Sequence, residues 1–272
     1  MDPRPIGVFD SGIGGLMAVR MLRHLLPGEP ILYLGDTARM PYGDRPAGEI
    51  DRLTGELTGW LLRQNVKALI AACGTISCNA GETLQQLPVP CFDVVTAAAE
   101  AAAQATRNGR VGLAATSATI RSGRFAEEIK KRTGQAVTAV PCPQLAPMIE
   151  HGAGPDDPAL AAAVAEYCQP LLQSGVDTVV LGCTHYPFLR KAIDALFPEG
   201  TPLIDGNAGS VRQLNEQSKM LLHDLCADGH SFFRCDRSVR PNLQNELVII
   251  GDLADAGVFN LIIDFEHRRE DG

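Results

Sequence analysis

Short apolar runs recur along this chain at Ile6 to Phe9, Ile31 to Leu34, Ala68 to Ala72, Cys91 to Val95, Val111 to Ala115, Ala136 to Val140, Thr178 to Leu181 and Leu203 to Ile204. Longer stretches with helical periodicity separate them, at Leu16 to Leu26, Glu49 to Gln64, Ala97 to Arg107, Gly123 to Thr133, Ala159 to Ser174 and Pro187 to Leu196. Apolar runs of this length that end in turn residues read as buried strands. Strands alternating with helices build parallel sheets covered by helices. The predicted fold is therefore α/β with mostly parallel sheets.

Two of these runs end alike. Ala-Leu-Ile-Ala-Ala leads into Cys73-Gly74-Thr75, and Thr-Val-Val-Leu-Gly leads into Cys183-Thr184-His185. Each thiol thus sits at the carboxyl end of a strand, where open α/β sheets bind ligands. A weak internal repeat goes with them. Gly7-Val-Phe-Asp10-Ser11 opens one half and Gly112-Leu-Ala-Ala-Thr116-Ser117 the other, with the cysteines 66 and 71 residues beyond their glycines. The matched spacing predicts two related α/β lobes facing each other across a cleft. We place the N-terminal lobe at 1–97 plus 207–272 and the C-terminal lobe at 98–206, with Asp205 to Gly209 as the crossing and a helix from Ser210 to Leu225 returning to the first lobe. The tail from Gly229, with Phe232 to Cys235 and Leu247 to Ile250, fits neither lobe readily.

A chain of 272 residues with 45% hydrophobic content has material for one large core or two smaller ones. Its net charge of -8 lacks the basic footprint of nonspecific nucleic-acid binding. No apolar stretch approaches the roughly 18 residues of a membrane span. Met1-Asp-Pro-Arg-Pro runs directly into the first strand, so no secretion signal is expected and the cytoplasm is the expected compartment. The eight cysteines, 73, 78, 91, 142, 168, 183, 226 and 235, contain no Cys-x-x-Cys pair. That excludes zinc-ribbon and thioredoxin-like spacing and fits reduced thiols, with no metal site expected.

Four motifs carry chemistry. Asp10-Ser11-Gly-Ile-Gly14-Gly15 is a glycine-rich strand-to-helix turn, but it matches neither a dinucleotide fingerprint nor a Walker loop. Its amides suit a carboxylate, and Asp10 is placed either to act on a proton or to cap the helix. Pro41-Tyr42-Gly43 closes a loop that could present amides and a phenol at the cleft mouth, or serve as a rigid loop alone. At Cys73 the positive end of a helix dipole is expected to lower the thiol pKa towards neutrality. His185 stands two residues past Cys183, placed to take or give the thiol proton. Thr116 and Thr119 offer hydroxyls where the second lobe's first strand meets its helix, and Glu150, after a strand and short loop, suits either acid-base work or solvation.

Two opposed thiols suit one reaction class in particular. Racemising a carbon requires a proton to leave one face and another to arrive on the opposite face, so one sulfur must be thiolate while the other is thiol. Such deprotonation usually relies on pyridoxal phosphate bound to a lysine. None of the five lysines, 67, 130, 131, 191 and 219, follows an apolar strand end. Cofactor-free proton transfer is therefore expected, with amides and hydroxyls stabilising charge in a water-poor cleft.

From Gly7 to Gly15, Tyr33 to Gly43, Ala72 to Thr75, Ala115 to Thr119 and Gly182 to Pro187, the chain resembles the glutamate racemases of the cofactor-independent aspartate/glutamate racemase superfamily. The resemblance spans roughly residues 6 to 210. It implies two pseudo-symmetric α/β lobes with the active site between them, and a homodimer. Cys73 would take the Cα proton of D-glutamate and Cys183 that of L-glutamate, with Asp10 and Glu150 assisting Cys73 and His185 assisting Cys183. Asp10, Ser11, Pro41, Tyr42, Gly43, Gly74, Thr75, Thr116, Thr119, Thr184 and His185 would hold the substrate, and the product D-glutamate would supply peptidoglycan. Many family members carry Asn where Gly74 stands, so a side-chain amide is missing here. The chain also lacks the N-terminal extension of relatives activated by a cell-wall precursor, so that regulation is not expected.

Other readings remain open on the residues. The depth of the pocket beyond Cα decides between glutamate and aspartate, so an aspartate or broad-specificity racemase is the near alternative. A noncatalytic binding protein, akin to the gyrase-inhibiting role of some family members, fits the intact thiol pair less well. A thiol oxidoreductase lacks its expected Cys-x-x-Cys.

Overall fold

The computed structural model describes residues 2–154 and 156–227. The first half runs β1 (Ile6–Asp10), α1 (Leu16–Leu25), β2 (Ile31–Gly35), α2 (Ala47–Arg63), β3 (Ala68–Ala71), α3 (Gly74–Asn79), α4 (Gly81–Gln85), β4 (Cys91–Asp93) and α5 (Val94–Ala105). The second runs β5 (Val111–Ala115), α6 (Ser117–Ser122), α7 (Arg124–Thr133), β6 (Thr138–Pro141), α8 (Leu145–Glu150), α9 (Pro158–Gln173), β7 (Thr178–Leu181), a 3-10 turn (Tyr186–Leu189), α10 (Arg190–Asp194), β8 (Leu203–Asp205) and α11 (Gly206–Ala227). The tail from Gly229, Cys235 included, lies outside the described residues.

The strands form two all-parallel four-stranded sheets, ordered β2-β1-β3-β4 and β6-β5-β7-β8. The two orders are the same once β5 is set against β1, so the second half repeats the first. Register carries the repeat to single residues. Gly7 pairs with Leu69 and Gly112 with Val179, and each cysteine lies two residues past the end of its strand, beyond Ala71 and Leu181. Helices cover both faces of a sheet of this kind, which is why β1, β3, β5 and β7 are buried at every position and show no alternation.

Local chemistry sets the helix starts. Asp93 accepts from the amides of Val95 (2.8 Å) and Thr96 (3.1 Å), which ends β4 and starts α5 at once. This cap is why the helix begins at Val94, inside the segment read as strand. Asp157 caps α9 in the same way, with Pro158 at the first helical position. After the second sheet, α11 packs Val211 and Leu214 with Ile6, Val8, Leu22 and Ile70 of the first. Ala98, Ala99 and Ala102 of α5 pack with Val111, Leu113 and Val180 of the second sheet, so the helix between the halves is shared by their cores.

The helix expected over Pro187 to Leu196 is split, because Pro187 opens a 3-10 turn before α10 takes over at Arg190. Glu150, expected after a loop, is the last residue of the short helix α8. No helix among the described residues is long and apolar enough to cross a membrane.

Candidate functional site

The carboxyl ends of β1, β3, β5 and β7 converge on one region. Asp10 closes β1 and is fully buried; its Oδ1 accepts the Gly12 amide at 2.8 Å, while Oδ2 has no partner. It therefore folds over its own turn and does not cap α1, whose N-cap is Gly15 without a side-chain bond. Tyr33 Oη donates to the Gly12 carbonyl oxygen at 2.6 Å and holds that turn against the sheet. Ser11 Oγ lies 3.5 Å from Cys73 Sγ at the start of α3.

Burial, reinforced by the nearby Asp10 carboxyl group, pushes the Cys73 thiol up to about 12. The Ser11 hydroxyl and the Ile76 amide pull the other way and are outweighed. The expected shift towards neutrality is thus reversed, because α3 is a single short helix and desolvation of a thiolate outweighs its dipole. Cys183, on the opposite turn, is only partly buried and close enough to add slightly to the rise at Cys73.

Across the cleft, Cys183 Sγ lies 3.6 Å from His185 Nδ1, and His185 Nε2 is bonded to Glu150 Oε1 at the end of α8. Burial opposes a charge on His185, but Cys183, Glu150 and Asp10 together outweigh it and raise the imidazole to about 11. These contacts favour the charged ring, in which one N–H faces the sulfur and the other the carboxyl group. Glu150, expected beside Cys73, bridges the two sides. It is bonded to His185, yet its Oε1 is near enough to Gly12 that a side chain there would meet it at 2.9 Å.

Three threonines complete the floor. Thr75 Oγ1 and Thr116 Oγ1 are 2.9 Å apart, Thr116 Oγ1 donates to Thr119 Oγ1 at 2.9 Å, and Thr119 Oγ1 reaches Thr75 Oγ1 at 3.4 Å. Thr116 Oγ1 also accepts the Thr119 amide at 3.4 Å, and hydroxyls grouped in this way can turn a proton outward to an anion. Beside them the Gly43 carbonyl accepts the Ala118 amide at 2.7 Å, tying the 36–45 loop to the second half. That loop offers backbone only. Tyr42 is buried and its hydroxyl donates to Asp36, which also takes Arg39 Nε at 2.7 Å, so no phenol stands at the cleft mouth. Pro41 stays exposed, its carbonyl accepting Arg45 Nε at 3.2 Å.

Residues 17–214 match the model of the Asp/Glu/Hydantoin racemase family. The chain belongs to this family. Among similar proteins, the glutamate racemase of Thermus thermophilus is 44% identical over 216 residues, covering 78% of this chain and 79% of that one. The glutamate racemase of Neisseria meningitidis is 42% identical over 211 residues, covering 76% and 74%. A crystal structure of Francisella tularensis glutamate racemase in complex with D-glutamate superimposes with a TM-score of 0.76 at 33% identity, covering 92% and 89%.

In this racemase, Asp10, Ser11, Cys73, Gly74, Thr75, Thr116, Thr119, Glu150, Cys183, Thr184 and His185 converge on one region, together with the Tyr42-Gly43 backbone. Tyr33, Asp36 and Arg39 belong to the Tyr33 to Gly43 motif but carry no role in the sequence reading, although Tyr33 is a hydroxyl in an otherwise apolar strand and Asp36 and Arg39 precede the Pro-Tyr-Gly turn.

Asp10 yields a prediction of its own. Burial is the main reason its carboxyl pKa is raised, with His185, the Gly12 amide and Thr184 opposing and Glu150 assisting. A raised folded pKa means stability that is full below the ordinary value of 3.8 and is lost as pH rises through the folded value. At pH 7 to 8 Asp10 therefore destabilises the fold, and a neutral isostere does not. Asp10→Asn is expected to raise the melting temperature there. The gain should vanish towards pH 4 in calorimetry, while racemase activity falls.

Proposed function

We propose that this chain interconverts L- and D-glutamate without a cofactor, through proton transfers at Cα by Cys73 and Cys183. The observation that carries the reading is the repeat itself: two thiols, each two residues past the third-ranked strand of equivalent sheets, on turns that face each other among buried residues. The names of its relatives supply glutamate as the substrate. Such an enzyme would act in the cytoplasm and supply D-glutamate for peptidoglycan.

In the direction from D to L, Cys73 thiolate takes the Cα proton and becomes a thiol. Cys183 thiol gives its proton to the opposite face and becomes a thiolate. Charge and protons balance, and the roles reverse in the other direction. Cys73 rests as a neutral thiol, so it must lose its proton once substrate is bound. An arriving ammonium group beside Asp10 and Ser11 supplies the compensating positive charge, and Asp10 is the adjacent proton acceptor. On the other side the His185 imidazolium, fixed by Glu150, supplies the proton for Cys183. The Thr75, Thr116 and Thr119 hydroxyls and the Gly43 and Gly74 amides would face the carboxylates, which gain negative charge as Cα is deprotonated.

Circular dichroism of the purified enzyme, free of added pyridoxal phosphate, tests the reading. L-Glutamate is expected to lose its signal at a rate at least about tenfold above that for L-aspartate, the discrimination that one methylene commonly gives. Equal or faster loss with aspartate would reassign the substrate, and an unchanged signal with both would overturn the function.

A further inference from the structure

Arg124 opens α7 in the second half, yet its guanidinium reaches into the first. Nη1 donates to the Ser77 carbonyl oxygen and Nη2 to Asp93 Oδ2 at 2.7 Å, partners 47 and 31 positions away in sequence. Ser77 lies in the last turn of α3, the helix that Cys73 leads, where helix carbonyls lack partners of their own. Asp93 caps α5 with Oδ1, which takes the Val95 and Thr96 amides and leaves Oδ2 for a cation. One planar fork thus joins the Cys73 helix, the crossing between the halves and α7.

The repeat shows that the fold itself does not call for this cation. Asp205 ends β8 as Asp93 ends β4, and it accepts the Asn207 amide at 3.0 Å as Asp93 accepts that of Val95 at 2.8 Å. No ion pair to Asp205 is present among the described residues; Arg190, whose charge it feels, donates to the Leu203 carbonyl oxygen at 3.0 Å instead. The bridge is therefore particular to the side that carries Cys73. There it is the charged member of a set of contacts that the second half makes with α3. Thr75 Oγ1 meets Thr116 Oγ1 at 2.9 Å near the head of the helix, and Asn79 Nδ2 reaches the Ala118 carbonyl oxygen at 3.4 Å at its end.

We propose that Arg124 is a positioning residue for Cys73. Its guanidinium holds the tail of α3 against α7 and the Asp93 crossing, which fixes where the sulfur at the head of that helix stands relative to the Cys183 turn. The catalytic part rests on the two-thiol reading above. A helix of six residues is less than two turns long and moves as one piece, so a displaced tail displaces the head. A misplacement of about 1 Å costs on the order of 10²-fold in rate. Thr75 and Asn79 still hold α3 when Arg124 is removed, so a smaller loss, about tenfold, is expected. The bridge is partly exposed and adds little to overall stability.

The test compares Arg124→Gln and Arg124→Lys with Lys131→Gln, which breaks an ion pair to Glu128 lying wholly within α7. Melting temperature and kcat for glutamate are measured, together with the rates at which iodoacetamide labels Cys73 and Cys183 without substrate, followed by peptide mass spectrometry. Arg124→Gln is expected to melt close to the native temperature, to lose about tenfold in kcat and to label Cys73 about fivefold faster relative to Cys183. Arg124→Lys keeps the charge but not the fork and should fall between. Lys131→Gln should match the native protein throughout. In an enzyme active on glutamate, a native kcat or a native labelling ratio in Arg124→Gln would overturn the proposal; equal acceleration at both cysteines, the mark of general loosening, leaves that ratio native. Should the variant fail to fold, Arg124→Lys decides by the same criteria. Labelling does not depend on turnover, so in a protein that never racemises glutamate a changed ratio keeps the positioning of α3 and removes only its catalytic consequence.

Discussion

Replacing either cysteine by alanine is expected to lower kcat by about 10³-fold or more, because each variant lacks the acid-base group for one face of Cα. Both variants should fold normally. Cys73 is buried and Cys183 partly so, and neither is bonded to another cysteine, so the cost is that of a small cavity. The loss must be equal in kcat/KM for the two directions. Enantiomers have the same free energy, so the ratio of the two kcat/KM values stays at unity in any variant. Differences between the two sulfurs can appear only in kcat and KM taken separately. Polarimetric assays from both enantiomers check this, and an active Cys183→Ala or Cys73→Ala would remove the two-base account.

Glu150→Gln has the second largest expected effect, and it changes the shape of the pH profile as well as its height. Burial is the largest single influence on His185 and favours the neutral ring; the Cys183 and Glu150 contacts hold it charged to about 11. Without the carboxyl group, burial gains ground and the imidazolium is lost at a lower pH. The native enzyme is expected to keep its His185-dependent activity through the range from pH 7 to 9. In Glu150→Gln kcat should fall by about 10²-fold and decline further as pH rises across that range. A native pH profile in the variant would show that Glu150 does not set the charge of His185.

Much of this was legible in the chain. Val111–Ala115 and Thr178–Leu181 are strands with the bounds that their apolar runs imply, because a strand buried on both faces must be apolar throughout. The matched glycine-to-cysteine spacings correspond to strand pairs in the same order within each sheet. Short helices were harder. α3, α6 and α8 are six residues each, too short to complete a readable helical period. What escaped the sequence altogether was environment. The dipole argument at Cys73 used only local residues, whereas its pKa is decided by burial beneath a second sheet and by Asp10, 63 positions away. Tyr42 looked like an available phenol until Asp36 claimed its hydroxyl. Glu150 reached His185 through the fold alone.

The isotopic course of a single early turnover in heavy water tests the two-base claim most directly. L-Glutamate is converted to about one tenth of completion, and the Cα hydrogen of each enantiomer is then read by mass spectrometry after chiral separation. Two opposed thiols predict D-glutamate carrying deuterium at Cα, delivered by a solvent-exchanged sulfur, while the remaining L-glutamate keeps its protium. The same pattern should hold starting from D-glutamate. Deuterium appearing equally in substrate and product, or protium carried over into the product, would mean that one group serves both faces, and would contradict the roles given to Cys73 and Cys183.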